Sequence, residues 1–473
     1  MLNRRSFVRG AGLVAAGALL PISPLRAAPA LPVVRPAAGQ RRFQSWAVEN
    51  VIREFRQRVP DPELGWLFGN CFPNTLDTTV TPGILAGRAD TYVSSGGDTD
   101  AMWLRDSSAQ VWPYLPLAPH DAALRQLIAG VINRQTQCIL QDPYANAFYA
   151  DKTKVGEWAR DHTAMQPGVH ERKWAVDSLC HPIRLGYHYW KTTGDEQPFD
   201  AQWRRAIDLI IQTFRAQQRR AGPGPYHFQR KTLTSTNTQA LAGYGYPVRP
   251  CGLIASAFRP SDDATLLPFL VPGNFMVVAS LRQAALMLYD IHHEQAGYND
   301  LMAFADEVAT ALRQHALITH PELGPVYAYE VDGYGGHALL DDATVPSLLS
   351  LPYLGALPLN DPIYQNTRRL ALSAANPFFY KGSAAEGIGS PHGGTGMIWP
   401  LAIIMRGLTS TDEAEIRACV QALRTTHAGT GYMHASFHKD DPSKFIRPQF
   451  AAANALLGEF LWKVYQERPA LLG

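Results

Sequence analysis

Apolar residues recur along this chain at spacings of three and four. Leu124, Leu127, Ile128, Val131 and Ile132 form one stripe, and Trp203, Ile207, Ile210, Ile211 and Phe214 a second. Val277, Leu281, Ala284 and Leu288 repeat the spacing, as do Leu301, Phe304, Val308 and Leu312, and near the end Leu456, Leu457, Phe460, Leu461 and Val464. A period of 3.6 puts each set on one face of a helix, so each predicts an amphipathic helix with that face buried. About ten to twelve such stripes are present. Ser410 and Glu413 have capping-box spacing ahead of Ile416, Val420 and Leu423. Alternation of period two is rare; 326–331 is one short candidate strand. His292-His293-Glu294 is expected on a helix, as a solvated face without zinc-ligand spacing.

Long connections rich in Gly, Pro, aromatic and charged residues separate the stripes, at 91–106, 244–267, 329–342 and 386–396. Connections of that length in a compact domain are functional or disordered, and their aromatic content argues against disorder. Many helices with functional loops on one side predict an all-α fold of helix pairs arranged in a ring. A two-domain helical protein is the alternative.

The first thirty residues read differently. Arg4 and Arg5 are followed by an apolar run from Ala11 to Leu20, then by Pro21, Pro24 and small residues. This is the pattern of a twin-arginine export signal over residues 1–30, and the run is short for a membrane span. Residues 31–42 read as a linker, and 43–473 as one domain. The expected location is periplasmic or secreted, with the twin-arginine translocase as a partner during export and no other membrane association. Composition fits a globular chain: of 473 residues, 46% are hydrophobic and 18% charged. The formal charge of +2 includes four arginines of the first thirty residues, where no acid occurs, so the remainder is slightly acidic. Nothing in that balance calls for nucleic acid. Five cysteines form no Cys-x-x-Cys pair and read as buried thiols.

The loops hold the candidate chemistry. The chain has 10 Trp, 19 Tyr and 19 Phe, many beside carboxylates and arginines. Aromatic faces pack on the C–H faces of sugars while Asp, Arg and His bond hydroxyls, which suits carbohydrate. The densest segment runs from Asp98 through Trp103, Arg105, Asp106 and Ser107 at the start of a helix. It is either a structural ion pair with a helix cap or a clamp for sugar hydroxyls. In Arg259-Pro260-Ser261-Asp262-Asp263, Ser261 or Asp262 caps a helix, or one Asp holds a proton while the other orients. A helix N-terminus and Arg259 would lower an Asp pKa; burial and a neighbouring carboxylate would raise it. Asp177, ahead of a helical stripe, is a cap or a ligand contact. Glu386 and His392 flank a Gly-rich turn that lacks dinucleotide-fingerprint spacing.

The motifs 100–107, 177–182, 258–264, 387–392 and 432–442, taken in order, resemble glycoside hydrolase family 125 from about Phe43 to the C-terminus. The resemblance implies an (α/α)6 toroid and exo-acting, inverting hydrolysis of α-1,6-linked mannose from an α-mannoside oligosaccharide, without metal or other cofactor. It makes Asp262 the general acid, with Asp263 the second choice. Trp103, Arg105, Asp106, Asp177, Arg259, Asp263, Glu386 and His392 would line the sugar site. The family's base is a glutamate in Met-His-Glu-Ser-Phe; here the segment is Met433-His434-Ala435-Ser436-Phe437. Gln449 and Ala452 stand where tryptophans are usual. Alanine accepts no proton, and losing a general base costs about 10²–10⁴-fold. Either another carboxylate serves, Glu386 or Asp440 first, or the chain is a non-catalytic mannoside-binding relative.

Overall fold

The computed structural model describes residues 31–97 and 99–473. The expected export signal, residues 1–30, and Asp98 lie outside the described residues. Val33–Gly473 forms one compact unit. It contains thirteen α-helices among the described residues: α1 (Trp46–Arg58), α2 (Pro62–Cys71), α3 (Asn74–Thr78), α4 (Leu104–Val111), α5 (Ala122–Gln141), α6 (Asp177–Thr193), α7 (Ala201–Gln217), α8 (Val271–Asp290), α9 (Gln295–His315), α10 (Pro362–Ala371), α11 (Pro400–Leu408), α12 (Glu413–Thr425) and α13 (Ala451–Glu467). The predicted stripes fall on α5, α7, α8, α9, α12 and α13, and their apolar residues are largely buried.

Two details of the helix reading are corrected. The cap of α12 is Asp412, whose carboxylate accepts from the N–H groups of Ala414 and Glu415, while Ser410 bonds Glu415 instead. His292-His293-Glu294 lies in the turn between α8 and α9; His292 stacks on Trp203 and Glu294 pairs with Arg204.

The helices differ in how they begin. α1, α2, α5, α7, α10 and α12 start behind Ser45, Asp61, Asp121, Asp200, Asp361 and Asp412, each accepting a first-turn N–H. Such caps satisfy helix-end donors locally. α4, α6, α8, α11 and α13 start behind Trp103, Val176, Leu270, Trp399 and Phe450, with no side-chain cap. These five also pack on one another: α4 against α6 and α13, α6 against α8, and α13 against α11. Capped helices lie alongside, α5 on α6, α12 on α11 and α2 on α13.

The fold is helix-rich but not purely helical. Six small sheets of two or three short strands stand among the described residues. The predicted strand 326–331 is two pieces, Gly324–Tyr327 and Glu330–Val331, which belong to different sheets. Residues 33–42 lie against the body. Arg35 bonds Asp77 at 2.6 Å and Glu49 at 2.5 Å, and the Tyr432 hydroxyl donates to the Val34 carbonyl at 3.2 Å. All five cysteines are free thiols, four of them buried.

Candidate active site

The uncapped ends of α4, α11 and α13 open on one cavity of about 1090 Å³, counted to its mouth. Trp103, Arg105 and Asp106 line it from the start of α4, His181 and Arg184 from α6, Trp399 from α11, and Phe450 and Ala452 from α13. Asp262 and Ala435 come from loops, His392 from a short 3-10 turn, and Ser436 from the start of a strand. Among the described residues, Asp106 and Asp262 are the carboxylates on its wall.

Asp262 sits at the tip of a tight hairpin rather than on a helix. Phe258 pairs with Ala264, the Asp262 N–H donates to the Arg259 carbonyl at 2.9 Å, and the Arg259 N–H to the Asp263 carbonyl at 2.8 Å. Pro260 sets the first corner. Asp262 follows in the left-handed region at φ 66°, a conformation Asp tolerates and that commonly closes such loops. Lys173 Nζ donates to the Asp262 carbonyl at 2.8 Å. The Asp262 carboxyl accepts from Asn146 Nδ2 at 3.2 Å and stands 3.8 Å from Arg105 Nη2. Burial pushes its pKa up, Arg105 and Lys173 pull it down, and the buried Glu171 adds to the rise; the net direction is up. With no helix N-terminus behind it, the lowering influence weighed from the sequence is absent.

Asp106 is buried, and its carboxylate accepts from Arg105 Nε at 3.1 Å and from Ser95 Oγ at 3.4 Å. Trp103 Nε1 and Arg105 Nη1 are buried with no hydrogen-bond partner among the described residues. They are donors available to a polar ligand. His392 is half-exposed, 3.7 Å from the Asp263 carboxylate, which raises its pKa.

Four expected sugar contacts lie off the cavity wall. Arg259 is buried and bonds Glu330 at 2.6 Å; Glu330 also accepts the N–H groups of Leu266 and Leu267. This fixes the base of the hairpin, so Arg259 positions Asp262 rather than meeting a ligand. Asp177 is the first residue of α6, fully buried, 4.0 Å from Arg105 Nη1 and 3.9 Å from His181 Nε2. Burial pushes its pKa up to about 7, against the pull of Arg105 and with a push from Asp262 and Asp106. Asp263 is buried beside Ser261 and Ser390, whose hydroxyls also approach Asp342 at 3.2 and 3.0 Å. Burial pushes Asp263 up, but the His392 hydrogen bond and charge, with Arg259, hold it below the usual range. Glu386 pairs with Arg406 at 2.9 Å and Lys381 at 3.1 Å. Asp440, the other expected stand-in for the base, is exposed and tied to Lys439 at 2.7 Å and the Ser383 N–H at 2.9 Å. Neither is among the cavity-lining residues; both make surface ion pairs.

Ala435 and Ala452 do line the cavity, and Gln449 does not. The Ala435 N–H is spent on the Ile446 carbonyl at 3.1 Å.

Sequence reasoning missed the support behind Asp262. Asn146 Nδ2 also donates to Glu171 at 3.0 Å, and Arg230 bonds Glu171 at 2.8 Å. Burial works against the Glu171 charge, yet Lys173 and Arg230 hold its pKa down at about 2. The run His170-Glu171-Arg172-Lys173 was the available signal: four polar residues immediately before Trp174. All four are buried.

Comparison with known proteins agrees with this geometry. The profile of the metal-independent α-mannosidases, GH125, matches residues 61–462. The meiotically up-regulated gene 157 protein of Schizosaccharomyces pombe is 40% identical over 459 residues, 93% of this chain and 90% of that protein. A Streptococcus pneumoniae metal-independent α-mannosidase, solved in a non-productive complex with α-1,6-mannobiose, is 38% identical with a TM-score of 0.86, covering 90% of this chain and 100% of that one. A bacterial glucoamylase solved with acarbose shares the fold alone, at 12% identity and TM-score 0.56 over 86% of this chain and 56% of its own. A helical body around a carboxylate-walled pocket, with these relatives, is that of a glycoside hydrolase. The chain belongs to glycoside hydrolase family 125, the metal-independent α-mannosidases.

Proposed function

We propose that the chain removes non-reducing terminal mannose from α-1,6-linked mannosides with inversion at the anomeric carbon, Asp262 giving the proton to the leaving oxygen. The observation that carries this is the Asp262 carboxyl, raised by burial and held at a hairpin tip on the wall that also bears Trp103, Arg105 and Asp106. An acid must keep its proton near neutral pH, and burial serves that. Asp106, Trp103 and Arg105 bind sugar hydroxyls, Asp177 stands behind Arg105, and Arg259 positions Asp262. The mannobiose complex of the S. pneumoniae relative supports an α-mannoside as substrate.

The packing order α11, α13, α4, α6, α8, with α12, α2, α5 and α9 alongside, supports an (α/α)6 toroid. Segment 344–356 ties α6 to α13, since Arg184 of α6 donates to the Tyr353 carbonyl at 3.2 Å and the Tyr353 hydroxyl donates to Glu459 of α13 at 2.8 Å. The paired arginines Arg4 and Arg5 support export by the twin-arginine translocase to the periplasm or beyond.

Ala435 favours a second reading, binding without useful turnover, since inversion with water requires a carboxylate opposite the acid. Assay on α-1,6-mannobiose, with the product anomer followed by NMR, separates the two. Release of β-mannose, unaffected by EDTA, is expected for the first reading. Heat of binding in calorimetry without cleavage would establish the second.

A further inference from the structure

We propose that the nucleophile of this site is inorganic phosphate, so that the chain cleaves its mannoside by phosphorolysis and releases β-mannose 1-phosphate. The inference rests on the reading of Asp262 as the acid, and concerns the opposite side of the sugar.

An inverting hydrolase needs a base because water must lose a proton as it attacks. An anionic nucleophile has no such requirement. The Ala435 side chain accepts no proton, Glu386 and Asp440 lie elsewhere, and Asp106 is engaged by Arg105 and Ser95, so no free carboxylate faces this wall among the described residues. What this wall does offer is donors. Ser436 Oγ and Trp399 Nε1 both line the cavity, on residues 1% and 6% exposed, and neither has a hydrogen-bond partner among the described residues. Gly393 opens the space between them: a Cβ there would stand 2.8 Å from Trp399 Nε1 and 3.3 Å from Ser436 Oγ. His392, the next residue, has its pKa raised by Asp263, and its ring lies 6.3 Å from that of Trp399. The uncapped starts of α11 and α13, at Trp399 and Phe450, add partial positive charge to the same wall. Unpartnered donors around a gap, beside an imidazole able to carry charge, suit a tetrahedral oxyanion. A glutamate at 435 would bring like charge to that place.

The step balances. An oxygen of hydrogen phosphate bonds to the anomeric carbon as the glycosidic C–O bond breaks. The bonding pair leaves with the aglycone oxygen, which takes the Asp262 proton. The ester retains the phosphate proton, and its loss through solvent restores the acid.

The test uses the full chain with α-1,6-mannobiose and phosphate, followed by 31P NMR. Expected is β-mannose 1-phosphate, formed at a rate that rises with phosphate and saturates. Ser436→Ala should raise the KM for phosphate about tenfold, the loss of one charge-assisted hydrogen bond. Ala435→Glu should replace the ester by free mannose, formed independently of phosphate. Free mannose from the unaltered chain at a phosphate-independent rate would overturn phosphorolysis and leave the mannosidase reading standing. Mannosyl azide formed with azide, but no ester with phosphate, would also overturn it while keeping Asp262 as acid. No consumption of mannobiose with water, phosphate or azide would remove both readings.

Discussion

The carboxyl of Asp262 is pulled two ways, toward ionisation by Arg105 and toward the neutral acid by burial and Glu171. Burial prevails, so the group keeps its proton to a higher pH than an ordinary aspartate. Activity requiring that proton should fall as pH rises through the raised value. Asp262→Asn should cost about 10²–10⁴-fold on mannobiose and much less on an aryl mannoside whose leaving group needs no protonation; equal losses on both would move the acid role elsewhere. The motifs holding Trp103, Arg105, Asp106, Asp262 and His392 do bring those residues to the cavity wall. Arg259, Asp177 and Asp263 belong to the same motifs yet face inward. Neighbours in a tight hairpin or first helical turn point different ways, and a motif records adjacency, not direction. Glu386 was misread for another reason: a carboxylate near glycine looks alike whether it meets a sugar or Arg406.

Among the helices, the 3.6-residue stripes were readable wherever one face is buried. The sheets were not, because most strands are two to four residues long, too short to show alternation, and the six-residue strand Val80–Leu85 is exposed at all but its first residue. The hairpin bearing Asp262 resembled a helix start for a related reason: Ser and Asp after Pro serve turns and caps equally. Glycine supplies a separate constraint at this scale. A Cβ on Gly458 of α13 would lie 2.5 Å from the Phe72 ring, and one on Gly407 of α11 would lie 2.4 Å from the Phe460 ring. Close approach there lets α13 seat against its neighbours. Gly458→Ala should destabilise the chain by about 1–3 kcal/mol through overpacking, read as a lowered urea midpoint. An unchanged midpoint would mean that Phe72 can swing aside at little cost.

For the molecule as a whole, α13 is tied across the helical body. Glu459 is partly buried and accepts from Trp112 Nε1 at 3.0 Å and the Tyr353 hydroxyl at 2.8 Å, while Arg184 lies 3.4 Å above the Trp112 ring centroid. Glu459→Leu leaves two partly buried donors without their acceptor and should cost about 1–3 kcal/mol in denaturant unfolding. Stability should also depend on pH in a defined sense. Asp177 is raised by burial to about 7 and Asp341 to about 8. Between the ordinary carboxylate value of about 4 and those values, the folded chain holds protons that the unfolded chain has released. Stability is therefore fullest at the acid end of that window and declines as pH rises through it. Asp177→Asn should flatten the decline seen by calorimetry between about pH 4 and 7.

The stretch read as a linker has its own bearing on where the folded body can be cut. Asp77 is buried at 2% exposure, and Arg35 is its nearest cation. A truncation starting at Phe43, where the linker reading places the boundary, discards that guanidinium and strands a carboxylate in the interior. The usable left edge of this protein is set by a single arginine eight positions upstream of its first expected domain residue.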